Sequence, residues 1–368
     1  MADKIRIGII GCGQIAQHHL NKYAEMPDTV EVVAACDIKP SALNTSADKF
    51  KIPHRYDRAK KLLERDDLDA VDVCLHNNLH VSGATAVLQS GKHCYCEKPM
   101  AGTYRDALTM TQIAEQTGKK LHIQLSTIYE AATRATKELI AAGELGEIYH
   151  ARSTGFRRRG RPFVDGYGSE TFVQKPISAG GALYDMGVYH ISQLLYLMNN
   201  PTVERVSGKT YQKMDMNHAR RDKAGYSVEE LGLGFVRFAA GLSMDIIEAW
   251  AINLDTIEGS TIVGSKGGVR LNPFGFFKSA GELDLNTSIS LDSAKKRWDT
   301  VLNNWEPLSS SQHHWIAALQ GRIELLPTAA IALNTMLIQE GIYLSEKLNR
   351  EVTADEIRQM SVSSAVPL

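Results

Sequence analysis

The sequence predicts an α/β protein, and three observations lead to this fold class. Strand-like and helix-like segments alternate through the first 125 residues, which is typical of parallel βαβ units with right-handed crossovers. A glycine-rich turn follows the first strand at once. Two later runs, Leu231–Phe238 and Leu242–Ala249, alternate apolar and polar residues as antiparallel strands do.

The first 125 residues divide into five short apolar strands with helical segments between them. The predicted strands are Lys4–Ile10, Val30–Cys36, Ala70–Leu75, His93–Cys96 and Lys120–Leu125. The predicted helices are Ile15–Ala24, Ser41–Phe50, Arg58–Arg65, Val81–Gln89 and Tyr104–Thr117. Much later in the chain, Thr328–Leu348 has the pattern of a long amphipathic helix whose apolar stripe belongs to the core.

The composition is that of an ordinary globular protein. Hydrophobic residues make up 43% and charged residues 23% of 368 residues, enough for two domains with substantial cores. The 41 basic and 42 acidic residues leave a formal charge of −1, which favours neither a nucleic acid nor an anionic membrane as partner. No apolar run approaches the roughly 18 residues of a membrane span, and the N-terminal residues do not resemble a signal peptide. We therefore expect a cytoplasmic protein.

The cysteines point to the same compartment. All five lie in the first hundred residues, mostly within predicted strands, and they lack the C-x-x-C spacing of a metal site. We expect buried, reduced thiols and no bound metal. The five are Cys12, Cys36, Cys74, Cys94 and Cys96.

The turn after the first strand matches the dinucleotide-binding pattern Gly-x-Gly-x-x-Ala. Gly11 permits a tight turn, Gly13 lets the backbone approach a pyrophosphate, and Ala16 lets the next helix pack closely on the strand. The amides that open this helix, around Gln14 and Ile15, present a partial positive charge to the phosphates. Residues 1–125 are therefore predicted to form a Rossmann dinucleotide-binding domain.

Asp37 stands at the end of the second predicted strand. Its carboxylate can accept hydrogen bonds from the adenosine ribose hydroxyls and would repel a 2′-phosphate, so NAD is favoured over NADP. Lys39 weakens this argument, because a nearby cation can partly accommodate the phosphate. The alternative is that Asp37 only caps its own turn.

Polar residues follow the third and fourth strands, at the edge where parallel sheets bind ligands. Asn77 and His80 come after the third strand, and Glu97, Lys98 and Pro99 end the fourth. A lysine in such a place can hydrogen-bond a hydroxyl that is being oxidised and handle its proton. Glu97 either holds this lysine in place or simply ends the strand.

These motifs together resemble the Gfo/Idh/MocA oxidoreductases, a family that includes glucose–fructose oxidoreductase and inositol dehydrogenase. The resemblance covers most of the chain. Besides the glycine turn, it rests on Asn77–His80 (NNLH), Gly91–Pro99 (GKHCYCEKP), Glu138–Ile148 (ELIAAGELGEI) and Gly180–His190 (GGALYDMGVYH). It implies that residues 126–368 form an α/β domain on a large, open, mostly antiparallel sheet. This domain would bind the substrate and would make the interface of a homo-oligomer, a dimer or tetramer, with the outer face of its sheet.

The resemblance also implies a second set of catalytic residues. In the family, an aspartate and the residue four positions later, usually His and sometimes Tyr, point at the substrate beside the lysine. Here these residues are Asp185 and Tyr189, which share one face of the helix predicted for Leu183–Met198. His190 comes next and titrates near neutral pH, whereas a tyrosine needs a neighbouring cation to do so. Whether Tyr189 or His190 relays the proton is left open, as are purely structural roles for both.

Two further segments supply candidate substrate-binding residues. Leu125–Tyr129 (LSTIY) replaces the Phe-Asn-Arg-Arg-Phe run of many relatives, which makes Tyr129 a candidate. The loop 156–178 carries the basic cluster Arg157–Arg161 and further Tyr and Asp residues suited to sugar hydroxyls, which makes Arg157 another. For the arginines, a solvated loop is the alternative.

The sequence thus predicts an NAD-dependent dehydrogenase that oxidises a secondary hydroxyl of a cyclic polyol, sugar or glycoside. Lys98, with Tyr189 or His190, would handle the hydroxyl proton, and Asp185 would orient the substrate. The second candidate is an enzyme that oxidises C3 of a glycoside and so prepares elimination of the aglycone. An NAD-bound sensor or repressor is a third, but such a protein would not need Lys98 and Asp185.

Overall fold

The computed structural model describes residues 4–301 and 307–368. The described chain divides into two compact units. The first comprises residues 4–124, 307–330 and 363–368, and the second comprises residues 125–301 and 331–362.

A parallel sheet forms the centre of the first unit. Its strands in the described chain are β1 (Ile5–Ile10), β2 (Val30–Cys36), β3 (His54–Tyr56), β4 (Ala70–Val73), β5 (His93–Cys96) and β6 (Leu121–Ile123). They lie in the order β3-β2-β1-β4-β5-β6 with parallel neighbours throughout, which is the Rossmann arrangement and confirms the predicted fold class. Strand β3 is absent from the predicted set, because its three residues (HRY), two of which are exposed, carry no recognisable strand pattern.

Five helices of the first unit connect these strands. They are α1 (Gln14–Ala24), α2 (Pro40–Phe50), α3 (Ala59–Leu63), α4 (His80–Gln89) and α5 (Tyr104–Thr117). Local chemistry sets their ends. For example, the Thr103 side chain accepts the amide of Asp106 at the start of α5, and Gly118 ends that helix in a left-handed conformation.

The helix Ser311–Leu319 also belongs to the first unit, although it lies far along the chain. Its residues Trp315 and Ile316 are fully buried against Ile7 and Tyr95 of the sheet strands. The boundary that the sequence predicts at residue 125 does not include this segment, because a contact between residues so far apart leaves no local pattern.

The second unit is built on a larger sheet. Its described strands are β7 (Ile148–Phe156), β8 (Val203–Tyr211), β9 (Leu231–Phe238), β10 (Ser243–Ala249), β11 (Thr261–Gly264), β12 (Gly268–Arg270), β13 (Gly275–Ala280), β14 (Leu283–Thr287) and β15 (Val352–Thr353). Their order is β14-β13-β12-β11-β7-β10-β9-β8-β15. The β7–β10 pair is parallel and the other pairs are antiparallel, so the predicted open, mostly antiparallel sheet is confirmed.

One face of this sheet is covered and the other is partly open. Val236 and Ile246 are buried on the covered face, whereas Leu233 and Ile247 are partly exposed, and Phe235 is exposed, on the other. Apart from short 3₁₀ turns, the remaining helices of the described chain are α6 (Ala131–Ala141), α7 (Lys175–Ser178), a π-helical turn (Leu183–Gly187), α8 (Val188–Leu197), α9 (His218–Ala224), α10 (Leu291–Val301), α11 (Ser311–Leu319), α12 (Thr328–Leu348) and α13 (Ala354–Met360).

Two general features bear on the sequence predictions. All five cysteines lie within the described residues, where each is buried and none is bridged. No helix between residues 4 and 301, or between 307 and 368, has the length and apolar character to cross a membrane.

Candidate active site

The glycine turn after β1 has the geometry that a dinucleotide needs. Gly11 has a φ of +92°, and a Cβ atom at this position would overlap the carbonyl oxygen of Cys74, so only glycine fits. A Cβ atom on Gly13 would meet no protein atom within 4 Å, and Gly13 has no side chain to cap the first amides of α1. These amides and the open space beside them can therefore accept a pyrophosphate. Ala16 is fully buried, as close packing of helix on strand requires.

Asp37 follows β2 and is bound to the same turn. Its carboxylate accepts the backbone amide of Cys12 at 2.7 Å and that of Lys39 at 2.7 Å. Asp37 therefore does cap its own turn. The same two hydrogen bonds fix its carboxylate beside the glycine turn, where a ribose would lie in a bound dinucleotide.

The carboxyl ends of β4 and β5 bring the other predicted residues of the first unit to the same edge of the sheet. Asn77 lies in a short 3₁₀ turn after β4, and Lys98 is partly exposed between two buried neighbours, Glu97 and Pro99. The Lys98–Pro99 peptide is cis. His80 differs from the expectation that it faces a ligand. It is fully buried, with Nδ1 2.7 Å from the Pro99 carbonyl oxygen and Nε2 3.1 Å from that of Leu75, so its ring links the two strand ends.

Glu97 also points into the protein. One carboxylate oxygen lies 2.9 Å from Nε2 of His19, and the other accepts the backbone amide of Lys98 at 2.9 Å. Of the two roles that the sequence left open, the hydrogen bond to the Lys98 amide supports the one in which Glu97 holds the lysine.

In the second unit, Asp185 lies in the π-helical turn that precedes α8. Such turns are rare and are often found at functional sites. The Glu229 carboxylate accepts the amides of Gly181 and Leu183 at 2.9 and 3.0 Å and so caps this turn. A Cβ atom on Gly181 would overlap the Glu229 carbonyl oxygen, which explains the glycine in the GGALYDMG motif.

The Asp185 carboxylate is held by two side chains. Trp250, which follows β10, donates its indole N–H to Oδ2 at 3.0 Å, and a guanidinium nitrogen of Arg157 lies 4.0 Å from the same oxygen. Arg157 also donates to the hydroxyl of Tyr167. The structure thus brings together two of the predicted substrate-binding residues, Asp185 and Arg157.

His190 is paired with a carboxylate that the sequence analysis did not single out. Its Nδ1 lies 3.0 Å from Oε2 of Glu248, which is fully buried and accepts the Ser153 hydroxyl at 2.8 Å. Burial lowers the pKa of His190, but the Glu248 carboxylate outweighs this effect, so the net pKa is raised above its ordinary value. In the neutral ring, the proton on Nδ1 faces the carboxylate and the lone pair stays on Nε2.

Asp185, Tyr189 and His190 are all partly exposed, whereas Met186, Gly187 and Val188 between them are buried. The predicted residues therefore share the accessible side of the turn and of α8. The segment that carries Tyr129 packs against this helix, since the Thr127 hydroxyl donates to the Tyr189 carbonyl oxygen at 2.8 Å.

The arginines of the cluster Arg157–Arg161 are not all exposed to solvent. Arg161 is fully buried and binds both Asp165, at 2.8 Å, and Glu230, at 2.9 Å. Arg159 is exposed and lies 3.5 Å from Asp165. Arg161 thus anchors the loop that holds Arg157 next to Asp185.

Several residues that support the candidate residues could not be identified from the sequence. Asp72 is a carboxylate inside the apolar strand β4, and Glu248 is one inside β10; a charged residue in a buried strand signals a partner elsewhere in the chain. That signal identifies neither His19 nor His190 as the partner, because each pair is separated by more than fifty residues.

Comparison with known proteins agrees with the geometry. The family model described as "Oxidoreductase family, NAD-binding Rossmann fold" (GFO_IDH_MocA) matches residues 5–125. The model of the GFO/IDH/MocA C-terminal domain matches residues 133–270.

Individual relatives give the same result. The chain is 31% identical over 280 residues to D-glucoside 3-dehydrogenase of Escherichia coli (strain K12), which covers 74% of this chain and 78% of the relative. It is 31% identical over 152 residues to inositol 2-dehydrogenase of Salmonella typhimurium (strain LT2), covering 40% of this chain and 45% of that protein. The WlbA dehydrogenase from Bordetella pertussis, solved with NADH and UDP-GlcNAcA, has the same fold, with a TM-score of 0.76 at 23% identity over 96% of this chain and 98% of the other.

Proposed function

Because the chain belongs to the GFO/IDH/MocA oxidoreductase family, we propose that it is an NAD-dependent dehydrogenase that oxidises a secondary hydroxyl of a sugar, cyclic polyol or glycoside. The observation that carries this proposal is the glycine turn, with open space at Gly13, at the same sheet edge as Lys98. Both family models and the named activities of the relatives support it.

NAD fits the residues of the first unit. The amides of Gln14 and Ile15 would bind the pyrophosphate and Asp37 the adenosine ribose, with Asn77 and Lys98 near the nicotinamide end. When bound, NAD supplies the acceptor for the hydride. The fixed carboxylate of Asp37 favours NAD over NADP.

The proton of the hydroxyl is handled by side chains of the chain itself. We assign Lys98 to hydrogen-bond the hydroxyl oxygen and to stabilise the charge that develops on it. His190 rather than Tyr189 is the better proton acceptor, because Glu248 fixes the tautomer with a lone pair on Nε2. Asp185 and Arg157 bind and orient substrate hydroxyls, and Tyr129 contributes to the same substrate-binding surface.

C3 of a glucoside is the leading candidate for the oxidised carbon. The name of the E. coli relative, which this chain matches over 78% of its length, favours it. Oxidation there would also prepare elimination of the aglycone. A sensor or repressor role is disfavoured, since it gives no reason for the paired Trp250–Asp185 and Glu248–His190 contacts.

The proposal also assigns a role to each part of the chain. Residues 1–125 bind the cofactor, and residues 126–368 bind the substrate and form a homo-oligomer. The partly open sheet face around Phe235, which is 38% exposed, supports the homo-oligomer. Five unbridged buried thiols fit a reducing, cytoplasmic location. Light scattering after gel filtration tests the homo-oligomer.

The decisive experiment for the activity is a substrate screen. Purified protein is incubated with NAD⁺ and a panel of inositols, hexoses and glucosides, and NADH formation is followed by absorbance. We expect reduction with at least one class and a keto product by mass spectrometry. A 3-keto glucoside, with or without released aglycone, identifies C3. No NADH with any member, from protein that binds NADH, would contradict the proposal.

A further inference from the structure

A buried cluster of ionisable side chains lies next to Lys98. His19 of α1 stands between two carboxylates: its Nδ1 is 2.8 Å from Oδ2 of Asp72, and its Nε2 is 2.9 Å from Oε1 of Glu97. The side chains of His19 and Asp72 are fully buried, and that of Glu97 is 4% exposed. Tyr23 donates its hydroxyl to the same oxygen of Asp72 at 2.7 Å. Glu97 completes the connection by accepting the backbone amide of Lys98.

The distances set the number of protons in the cluster. A ring nitrogen and a carboxylate oxygen that approach to less than 3 Å in a buried site share a proton, because two lone pairs would repel. Two such contacts need two protons, spread over one imidazole and two carboxylates. The cluster therefore carries one net negative charge, wherever the proton between His19 and Asp72 resides.

The ionisation of Glu97 depends on His19. Burial alone raises the pKa of a carboxyl group, but the imidazole and Lys98 outweigh burial and lower the pKa of Glu97. Burial lowers the pKa of His19, but the nearby Cys74 and then the acceptors on Asp72 and Glu97 outweigh this effect and raise the pKa well above its ordinary value.

Lys98 is a cation next to this cluster, and its charge helps to lower the pKa of Glu97. Burial raises the pKa of the nearby thiols and phenol and lowers that of the nearby imidazoles. The titratable groups concerned are Cys74, Cys96, Tyr23, His18, His80 and His122. Both ring nitrogens of His80 also lie within hydrogen-bond distance of carbonyl oxygens.

We propose that His19 is a positioning residue: it keeps Glu97 ionised, and Glu97 in turn holds the backbone of Lys98 and favours the ammonium form of its side chain. A fixed negative charge one residue away stabilises the cation. Lys98 would then meet the substrate as a hydrogen-bond donor with a defined direction. The inference rests on the role proposed above for Lys98.

The test is a direct titration of Lys98 in the full-length protein. Lysine is labelled with ¹³C at Cε, its signal is assigned by loss in Lys98→Ala, and its chemical shift is followed with pH. In Glu97→Gln the carboxylate next to Lys98 becomes neutral, so the midpoint should fall by roughly one pH unit or more. Glu115→Gln, the same change at an exposed position of α5, should leave the midpoint unchanged.

Two more variants separate charge and positioning from loss of structure. Glu97→Asp keeps the charge and should restore the midpoint toward that of the unmodified protein. His19→Leu removes the donor of Glu97, which then takes up a proton, so the midpoint should again fall. Thermal unfolding and NADH binding report whether each variant is folded. A folded Glu97→Gln or His19→Leu protein with an unchanged midpoint would overturn the inference. If instead the midpoint falls but Lys98→Ala retains full turnover, this inference stands and the proposed catalytic role fails.

Discussion

The indole N–H of Trp250 is bound to the carboxylate of Asp185 across 3.0 Å. Trp250 is fully buried, and its backbone amide is bound to the Glu230 carbonyl oxygen at 2.8 Å, so the indole has a fixed position. Arg157 reaches the same carboxylate oxygen from the loop that Arg161 anchors. The protein thereby sets the orientation of Asp185 before any substrate binds.

Trp250→Phe should reduce kcat/KM for the sugar substrate about 10- to 100-fold, since a hydrogen bond to a charged group contributes roughly 1.5–3 kcal/mol. The phenyl ring keeps most of the buried apolar surface but has no donor for Asp185. Steady-state kinetics and NADH titration check this, and NADH affinity should not change. Trp298→Phe is the matched control, because Trp298 stacks on Arg134 instead. Equal kcat/KM for the Trp250 variant and the unmodified enzyme would contradict the assigned role of Asp185.

The two glycines of the β1 turn should respond differently to alanine. Gly11→Ala places a Cβ against the Cys74 carbonyl in a left-handed conformation, which costs at least about 1–2 kcal/mol, so the melting temperature should fall. Gly13→Ala meets no protein atom, so it should melt normally but bind NADH at least roughly tenfold more weakly, because the new methyl group occupies the space of the pyrophosphate. Calorimetry measures the melting temperature of each variant, and NADH fluorescence measures its affinity for NADH. Normal NADH binding by Gly13→Ala would mean that the cofactor lies elsewhere.

Glu248→Gln should lower the pKa of His190, because the carboxylate is what raises it against the effect of burial. NMR of the ring Cε1–H gives this pKa directly. If His190 is the proton acceptor, the acidic limb of the kcat/KM profile should move to lower pH with it, whereas Tyr189→Phe should leave the limb in place. The opposite pattern would assign the proton to Tyr189.

The same pair should contribute to stability in a defined pH range. The folded-state pKa of His190 is above the ordinary value of 6.5, so the contribution is fully present below about pH 6.5 and is lost as the pH rises through the folded-state pKa. Urea unfolding should therefore show that Glu248→Gln loses more free energy of unfolding, relative to the unmodified protein, at acidic pH than at alkaline pH. Ser207→Ala on β8 serves as a control that leaves the pair intact. If the difference in free energy of unfolding between the two proteins does not depend on pH, the titration of His190 does not contribute to stability.

Lys98→Ala should lose turnover by roughly two to three orders of magnitude, the usual cost of removing a donor that stabilises a developing negative charge on oxygen, while it still binds NADH. Stopped-flow measurement of the hydride-transfer step, with NADH affinity measured in parallel, separates the two effects. Near-normal turnover would remove Lys98 from the mechanism.

The sequence was most informative where a pattern is local. The strand Val30–Cys36, the helices Tyr104–Thr117 and Thr328–Leu348, and the glycine turn each follow from neighbouring residues, and the structure has them at the predicted positions. The partners of these elements could not be predicted in the same way. That His19 binds Asp72 and Glu97, or that Glu248 binds His190, depends on which strands and helices become neighbours, and this is fixed by packing over the whole unit.

His80 and Arg161 illustrate the same limit. The sequence predicts His80 near a ligand because it follows a strand end, and it leaves a solvated loop as the alternative for the basic cluster that contains Arg161. Both are fully buried and bind groups of the protein itself. Sequence shows the residue type and its neighbours along the chain, but only the folded structure decides whether a polar group faces solvent or a partner.

The core of the first unit cannot be completed until late in the synthesis of the protein. Its core around Ile7 and Tyr95 is completed by Trp315 and Ile316, which the ribosome adds some three hundred residues after β1. The nascent N-terminal segment therefore exposes part of its apolar surface while the second unit is being made. A fragment that ends near residue 125 should be recovered largely in inclusion bodies, and adding the segment 307–330 as a separate peptide should improve its solubility.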